Sequence, residues 1–377
     1  MINIYRIRVL SILMLFLLVL GCQSNQDTKV YYYREDENRS GYSRNIPILS
    51  FKKIVSTIDL TAQIYITPLI DEKNLYVTGV DRLLFTYLNQ TFSHIWRYKT
   101  LGVVSASPVS YNNLIFIPDN EGNLVALNKK TGTILWKYIA NAGIYSSPII
   151  KNDILHFAST DGYYHKVNVK NGEQVIKVKM RESVYSSPAA INNYIIFYSE
   201  KGLVICYKNN FTSEHIVSEP QWTFRASNED LLNYTNPVIF NNRVFISSRD
   251  GNVHCLDLIS GKLIWTFTAN DMIDVAPAIN QNLVIVGSYD KNVYALDQMN
   301  GQLVWSYKTD SEVTSPALTS SRVVYVGLKN GKLLALNIKS GSLLWDFQTK
   351  DAIVASPVLH QDRLIFGSYD HSVYILE

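Results

Sequence analysis

From residue 50 onward the chain alternates short apolar runs with polar turns, and this pattern recurs about every 40 residues. A proline falls into register eight times, at Pro68, Pro108, Pro148, Pro188, Pro237, Pro277, Pro316 and Pro357, with spacings of 40, 40, 40, 49, 40, 39 and 41. The fullest copies run from Ser-Pro through four β-rich stretches separated by turns. In one of them Val323–Leu328 is followed by Asn330-Gly331, then Lys332–Asn337, Ser340-Gly341 and Ser342–Phe347. Glycine accepts the positive φ that tight hairpin turns require, so X-Gly between apolar runs marks a hairpin. Four strands per 40-residue unit make a propeller blade, and long helices have no room.

A tryptophan recurs about twelve residues before the next proline, at Trp96, Trp136, Trp222, Trp265, Trp305 and Trp345, with Ile176 in the third copy. Side chains two apart share one face of a strand, so in Leu343–Phe347 the indole is expected to pack against a neighbouring blade. The last unit begins at Pro357 and stops at Glu377, before its fourth strand. Lys53–Leu60 has strand character with no three strands ahead of it, and is expected to supply the missing strand. The fold class is therefore all-β: an eight-bladed β-propeller of four-stranded antiparallel blades over residues 50–377, closed by an N-terminal strand that completes the last blade.

The first 21 residues have another pattern. Arg6 and Arg8 precede the apolar run Val9–Leu20 and then Gly21-Cys22. This order reads as a secretory leader, and twelve apolar residues fall short of the roughly 20 needed to span a bilayer. Val19-Leu20-Gly21-Cys22 resembles a bacterial lipobox, which implies cleavage before Cys22 and acylation of that cysteine with palmitate-type chains. Two or three acyl chains anchor a protein firmly at about 0.8 kcal/mol per buried CH₂. Gln23 follows where an inner-membrane retention signal has Asp, so the expected location in a two-membrane bacterium is the outer membrane, facing the periplasm. Residues 22–49, with Tyr31-Tyr32-Tyr33, lack apolar periodicity and read as a lipidated cysteine on a flexible tether, whose tyrosines can dock on a partner or on the body.

Composition narrows the chemistry. With 35 Lys plus Arg against 32 Asp plus Glu the charge is +3, which excludes a nucleic-acid or polybasic membrane theme. Losing Arg6 and Arg8 with the leader brings +3 to +1. Three cysteines make no disulfide framework, and Cys206 and Cys255 fall four residues after Gly202 and Gly251, where other copies have Ala126 or Ala335. Both read as small buried residues. The seven histidines are scattered, and His165 and His254 hold the strand position of Tyr294 and Tyr374. No local motif assembles a nucleophile, base and orienter, a metal set or a phosphate loop.

The pattern of Ser-Pro, Asp-Gly, Ala-Leu-Asp/Asn, Thr-Gly and Leu-Leu-Trp, clearest in Ser247–Asp257 and Ser288–Asp297, resembles the pyrroloquinoline-quinone-like propeller repeat. Eight such blades in under 400 residues behind a lipobox resemble the BamB-like family of outer-membrane assembly lipoproteins. That resemblance implies a non-catalytic scaffold without cofactor that binds a BamA-like outer-membrane assembly protein through its periplasmic repeats, and that can hold nascent outer-membrane proteins. In that family the connections on either side of the fourth blade carry the partner contact, one with a Leu-Arg element and the other with closely spaced acidic residues. Met180-Arg181 resembles the first, with Met for Leu. The second departs, because Leu232–Asn236 precedes Pro237 and the acidic pair Glu229-Asp230 lies upstream. The resemblance thus directs partner binding to Met180, Arg181, Glu229, Asp230 and Asn233. The expanded Trp222–Pro237 interval agrees, since binding groups concentrate on loops of rigid scaffolds. The other reading is a surface or periplasmic ligand-binding propeller, or a quinone-dependent dehydrogenase relative, although the Cys pair, Ca²⁺ ligands and pocket insertions of the dehydrogenases are not identifiable.

Overall fold

The computed structural model describes residues 29–34, 36–208, 219–227 and 231–377. Eight antiparallel sheets of four consecutive strands follow one another, the second gaining a short fifth strand. The first blade comprises Leu69–Ile70, Asn74–Thr78, Leu83–Leu88 and His94–Lys99, numbered outward from the channel, and the others repeat it. The eighth takes its inner three strands from Val358–His360, Arg363–Gly367 and Ser372–Leu376 and its outermost from Ile54–Asp59. Ser56, Thr57, Ile58 and Asp59 pair with Ile375, Tyr374, Val373 and Ser372. The inferred closure is the one observed, and it leaves the ring without an open edge strand.

The core lies between blades. Eight apolar clusters each join the facing sides of two neighbours, as where Trp265, Val253 and Phe245 of the fifth blade meet Val284, Tyr294 and Leu296 of the sixth. Each tryptophan crosses this boundary. In five of the six the indole N–H donates to a carbonyl of the next blade at 2.8–3.1 Å: Trp96 to Lys129, Trp136 to Val169, Trp222 to Leu258, Trp265 to Gln298 and Trp305 to Ile338. The adjoining turn residue is Gly132, Gly172, Gly261, Gly301 or Gly341, at φ between 69° and 74°, where an added Cβ would lie 2.5–2.7 Å from the indole. Glycine is needed twice over, for the positive φ and for the space. At the joint between the eighth and first blades Ser56 replaces the tryptophan, and the turn residue is Phe92 at φ 55°. There Arg363 does the indole's work: it donates to the Asn89 carbonyl at 3.2 Å and lies 5.4 Å from the Phe92 ring centre.

Two further links recur. The first residue beyond each outer strand donates its N–H to the carbonyl of a positive-φ turn residue, as Ala140 does to Gly122 at 2.8 Å and Met180 to Gly162 at 2.7 Å. Around the channel the residue before the proline bonds its neighbour at four of the eight positions: Ser107 N–H donates to Ser147 Oγ, Ser147 N–H to Ser187 Oγ, Ser187 N–H to Asn236 Oδ1 and Ser356 N–H to Thr67 Oγ1, at 2.6–3.0 Å. This explains the Ser-Pro signature, because a short hydroxyl there serves the adjacent blade.

The described part of residues 22–49 departs from the expected tether. It forms a strap around the inside of the channel. Val30-Tyr31 pairs with Tyr111 and Ser110 of the second blade, and the strap then accepts the N–H groups of Ala190, Ile239, Ile279 and Thr319 on the fourth to seventh blades at 2.8–3.0 Å. Asn45 reaches the Leu359 carbonyl of the eighth at 2.8 Å, and the Ile48 carbonyl accepts the Trp345 indole at 3.0 Å. Inner strands otherwise offer unpaired backbone groups to the channel, and the strap satisfies them in sequence. Arg39, fully buried, fixes its centre, donating to the carbonyls of Tyr33, Ser147, Pro148 and Pro188 at 2.7–3.2 Å.

Strap and closing strand are separable by truncation. A chain beginning at residue 50 keeps the closing strand, whereas one beginning at residue 62 loses it with its backbone bonds and the buried face of Ile58. The second should unfold with several kcal/mol less stability than the first. Equal thermal midpoints for the two truncated chains would contradict closure through residues 54–59.

Candidate functional site

On the face that carries the blade-to-blade connections, the residue three before the proline points to the axis in several copies. Tyr65, Tyr145, Tyr185 and Tyr234 occupy it and line a cup of about 430 Å³ at the channel mouth, with Ser105, Asn236 and Val354 completing the wall and Tyr33 of the strap below. The Tyr145 and Tyr185 rings are 4.9 Å apart, and Tyr185 meets Tyr234 edge-on at 5.3 Å. Arg249 lies 5.1 Å from the Tyr234 ring centre and is held by a two-bond pair to Asp274, 2.9 and 2.6 Å. These residues form one arc from the third to the sixth blade. Burial pushes the Tyr65 hydroxyl up to about 12 and raises Tyr185, so these two present neutral hydroxyls to the cup at neutral pH. Such a lining can hold a ligand or chain segment by stacking and hydrogen bonds.

Around the fourth blade two connections grip one turn. Glu200 N–H donates to the Ser183 carbonyl at 3.0 Å, and the Glu200 carbonyl accepts Asn233 N–H at 2.6 Å. The segment around Arg181 and the segment around Leu231 therefore flank the same turn. Glu182 is tied to Arg225 at 2.8 Å, leaving Arg181 as an exposed cation beside that pair. On the other side Leu231, Leu232 and Tyr234 are 36%, 43% and 42% exposed, an apolar group at the rim that the sequence had not singled out. The available signal was the tyrosine three before Pro237, shared with Tyr65, Tyr145 and Tyr185.

Two of the expected partner residues are structural. Met180 is 3% exposed and packs with Tyr164, Val178, Val184 and Phe197, because its place beyond the outer strand is one that other blades fill with a buried Ala or Thr. It lies beneath the surface on which Arg181 is exposed. Asn233 is wholly buried: its Nδ2 donates to Ser227 Oγ and the Leu231 carbonyl, and its Oδ1 accepts Arg249 N–H at 3.0 Å. It shapes the connection from beneath, rather than standing on its surface. Glu229, Asp230 and Cys22 lie outside the described residues.

The cysteines and histidines lie in the blades. Cys206 and Cys255 are free and buried opposite Trp222 and Trp265, where Ala126, Ala295 and Ala335 face Trp136, Trp305 and Trp345 and Thr86 faces Trp96, and burial pushes both thiols up to about 12. His165 has Nε2 2.7 Å from Ser159 Oγ and Nδ1 2.8 Å from the Tyr138 hydroxyl, and Ser159 donates to Asp161. Serine, histidine and aspartate thus meet, but the carboxylate accepts from the serine instead of orienting the imidazole, and Ser159 and His165 have no exposed surface. The arrangement lacks the order a nucleophile needs. Among the described residues, no group of three His, Cys, Asp or Glu is placed to hold a metal ion.

A family model described as outer membrane protein assembly factor BamB matches residues 50–210 and 219–377. No curated protein matches the chain in sequence. Among solved structures, BamB from Moraxella catarrhalis is similar with a TM-score of 0.72 at 18% identity, covering 86% of this chain and 99% of that one. The computationally designed Ika8 protein gives 0.73 at 15%, covering 84% and 97%. Quinohemoprotein alcohol dehydrogenase from Comamonas testosteroni gives 0.76 at 12%, covering 92% and 80%. At these identities the solved structures establish a shared propeller fold.

The buried imidazoles set an acid limit on stability. Burial lowers His165 to about 4, below its ordinary 6.5, so the folded protein binds fewer protons there than the unfolded chain in between. Its contribution is present above about pH 6.5 and is lost as pH falls toward 4, by about 3 kcal/mol at the limit. His165→Gln keeps hydrogen-bonding groups without that titration and should flatten the pH dependence of unfolding in this window. Denaturant melts from pH 7 to pH 4 check it, and identical slopes for both proteins would count against it.

Proposed function

The chain belongs to the family of outer membrane protein assembly factor BamB, and from that membership we propose that it is a lipid-anchored, non-catalytic scaffold of outer-membrane β-barrel assembly. In this reading it faces the periplasm and binds the periplasmic repeats of a BamA-like protein. The observation that supports it most is the rim of the fourth blade, where exposed Arg181 and the exposed apolar group Leu231, Leu232 and Tyr234 flank one clamped turn. A fixed backbone carrying a guanidinium beside aliphatic and aromatic side chains suits an interface anchor, because little conformational freedom is lost on binding. Arg181 supplies bidentate donors to a partner's carboxylate or carbonyls. Glu229 and Asp230 belong to the same connection and keep their proposed place in the contact. Met180 and Asn233 act beneath it.

A ligand-binding role is the second reading, and the tyrosine-lined cup favours it. The two readings meet at Tyr185 and Tyr234, which line the cup and border the rim.

Binding and folding should separate at this site. Arg181→Glu is expected to weaken capture of BamA-like repeats by roughly tenfold to several hundredfold, the range for loss of an interface anchor. Lys329→Glu, in a turn of the seventh blade, should leave capture unchanged, and neither should shift folding stability by more than about 0.5 kcal/mol. Equal capture by the two variants would remove the rim from the account, and a large fall in melting temperature for Arg181→Glu would show a structural role. Anchoring has its own test: Cys22→Ala should yield soluble or unprocessed protein on membrane fractionation, and a processed outer-membrane product would overturn the lipid assignment.

A further inference from the structure

The strap leaves one gap in the channel. Its backbone bonds run from the second blade to the seventh, and the inner strands of the eighth and first blades instead border a cavity of about 280 Å³. Arg34 lines this cavity and is 3% exposed. Its Nη2 donates to the Pro277 carbonyl at 2.6 Å, whereas its buried Nε and Nη1 have no hydrogen-bond partner. His360 also lines it and has a buried Nε2 in the same condition. Burial disfavours the Arg34 charge and outweighs its two favourable neighbours, Tyr33 and Asp36, and Asp36, two residues along the strap, accepts its hydrogen bonds from the N–H and hydroxyl of Ser40 at 3.0 and 2.6 Å.

The contrast with Arg39 is informative. Both guanidiniums are buried in one strap, but Arg39 is surrounded by carbonyls and Arg34 is not. Guanidinium cannot shed its proton at neutral pH, and a buried cation with idle donors is costly unless an anion compensates it. Donors spread over a planar fork suit the several acceptor oxygens of one oxyanion. We propose that this cavity binds a small oxyanion, a phosphate or a carboxylate, held by Arg34 with His360 at its wall. The site sits where the strap's two ends approach each other, so occupancy fastens the strap in the channel.

The test uses the full chain. Thermal midpoints are measured against sodium phosphate and, separately, sodium succinate, with chloride holding ionic strength constant. A bound anion stabilises the folded state by mass action, so the midpoint should rise by a few degrees per tenfold increase above the dissociation constant. The arm that responds at lower concentration distinguishes phosphate from carboxylate. Arg34→Met should abolish the response and, in chloride alone, should melt no lower than the wild type. Arg34→Lys keeps the charge but not the fork, and should need at least tenfold more anion. If Arg34→Met fails to fold, the wild-type titrations still decide. Indifference of the wild type to both anions would overturn the proposal. A response that survives in Arg34→Met would also overturn it.

Discussion

An indole N–H donated across a blade boundary is the contact on which the ring depends. At five of the eight boundaries it ties together sheets that are each too small to be stable alone, and the apolar clusters between neighbours complete a closed series of paired faces. It also dictates what its neighbours can be. The turn it reaches must be glycine at Gly132, Gly172, Gly261, Gly301 and Gly341, and the residue paired with it must be small, which is why Cys206 and Cys255 stand where other blades have alanine. The requirements lapse where the tryptophan is absent: Ile176 pairs with Lys166 in the third blade, and Ser56 pairs with Ile375 in the eighth, where Phe92 replaces the turn glycine and Arg363 supplies the donor.

The strap solves the complementary problem on the inner side. A propeller's innermost strands each present one unpaired edge to the channel, and buried backbone groups without partners are costly. Here a single segment visits seven of the eight blades before it leaves as the closing strand of the last. Its cost is the burial of two arginines. Arg39 is compensated by carbonyls of the strands it crosses, whereas Arg34 faces a cavity.

With channel and blade boundaries fixed, the rim is free to vary. The connection between the fourth and fifth blades is the longest departure from the repeat, and it presents Leu231, Leu232 and Tyr234 outward because Asn233 is drawn inward to bond three segments at once. The aromatic arc continues from there into the cup. Tyr185 and Tyr234 thus belong to both the rim and the cup.

The periodic features were legible in the sequence because each repeats a local rule. Eight prolines counted the blades, X-Gly pairs marked the hairpins, and an incomplete last unit with an isolated strand at Lys53–Leu60 pointed to the closure. Burial of the two cysteines followed from their equivalence to alanines. Function-bearing detail was not periodic, and there single positions misled. Met180 reads as an exposed anchor beside Arg181 until its backbone bond to Gly162 fixes it in the core, and Asn233 reads as a loop amide until three partners bury it. The tyrosine-rich strap lacks apolar periodicity because it makes one or two bonds to each blade in turn, each to a different partner up to hundreds of residues away. No local pattern encodes such pairings. Only closure of the ring brings the inner edges together, and only then do Arg34, Arg39 and the tyrosines of separate connections acquire their surroundings.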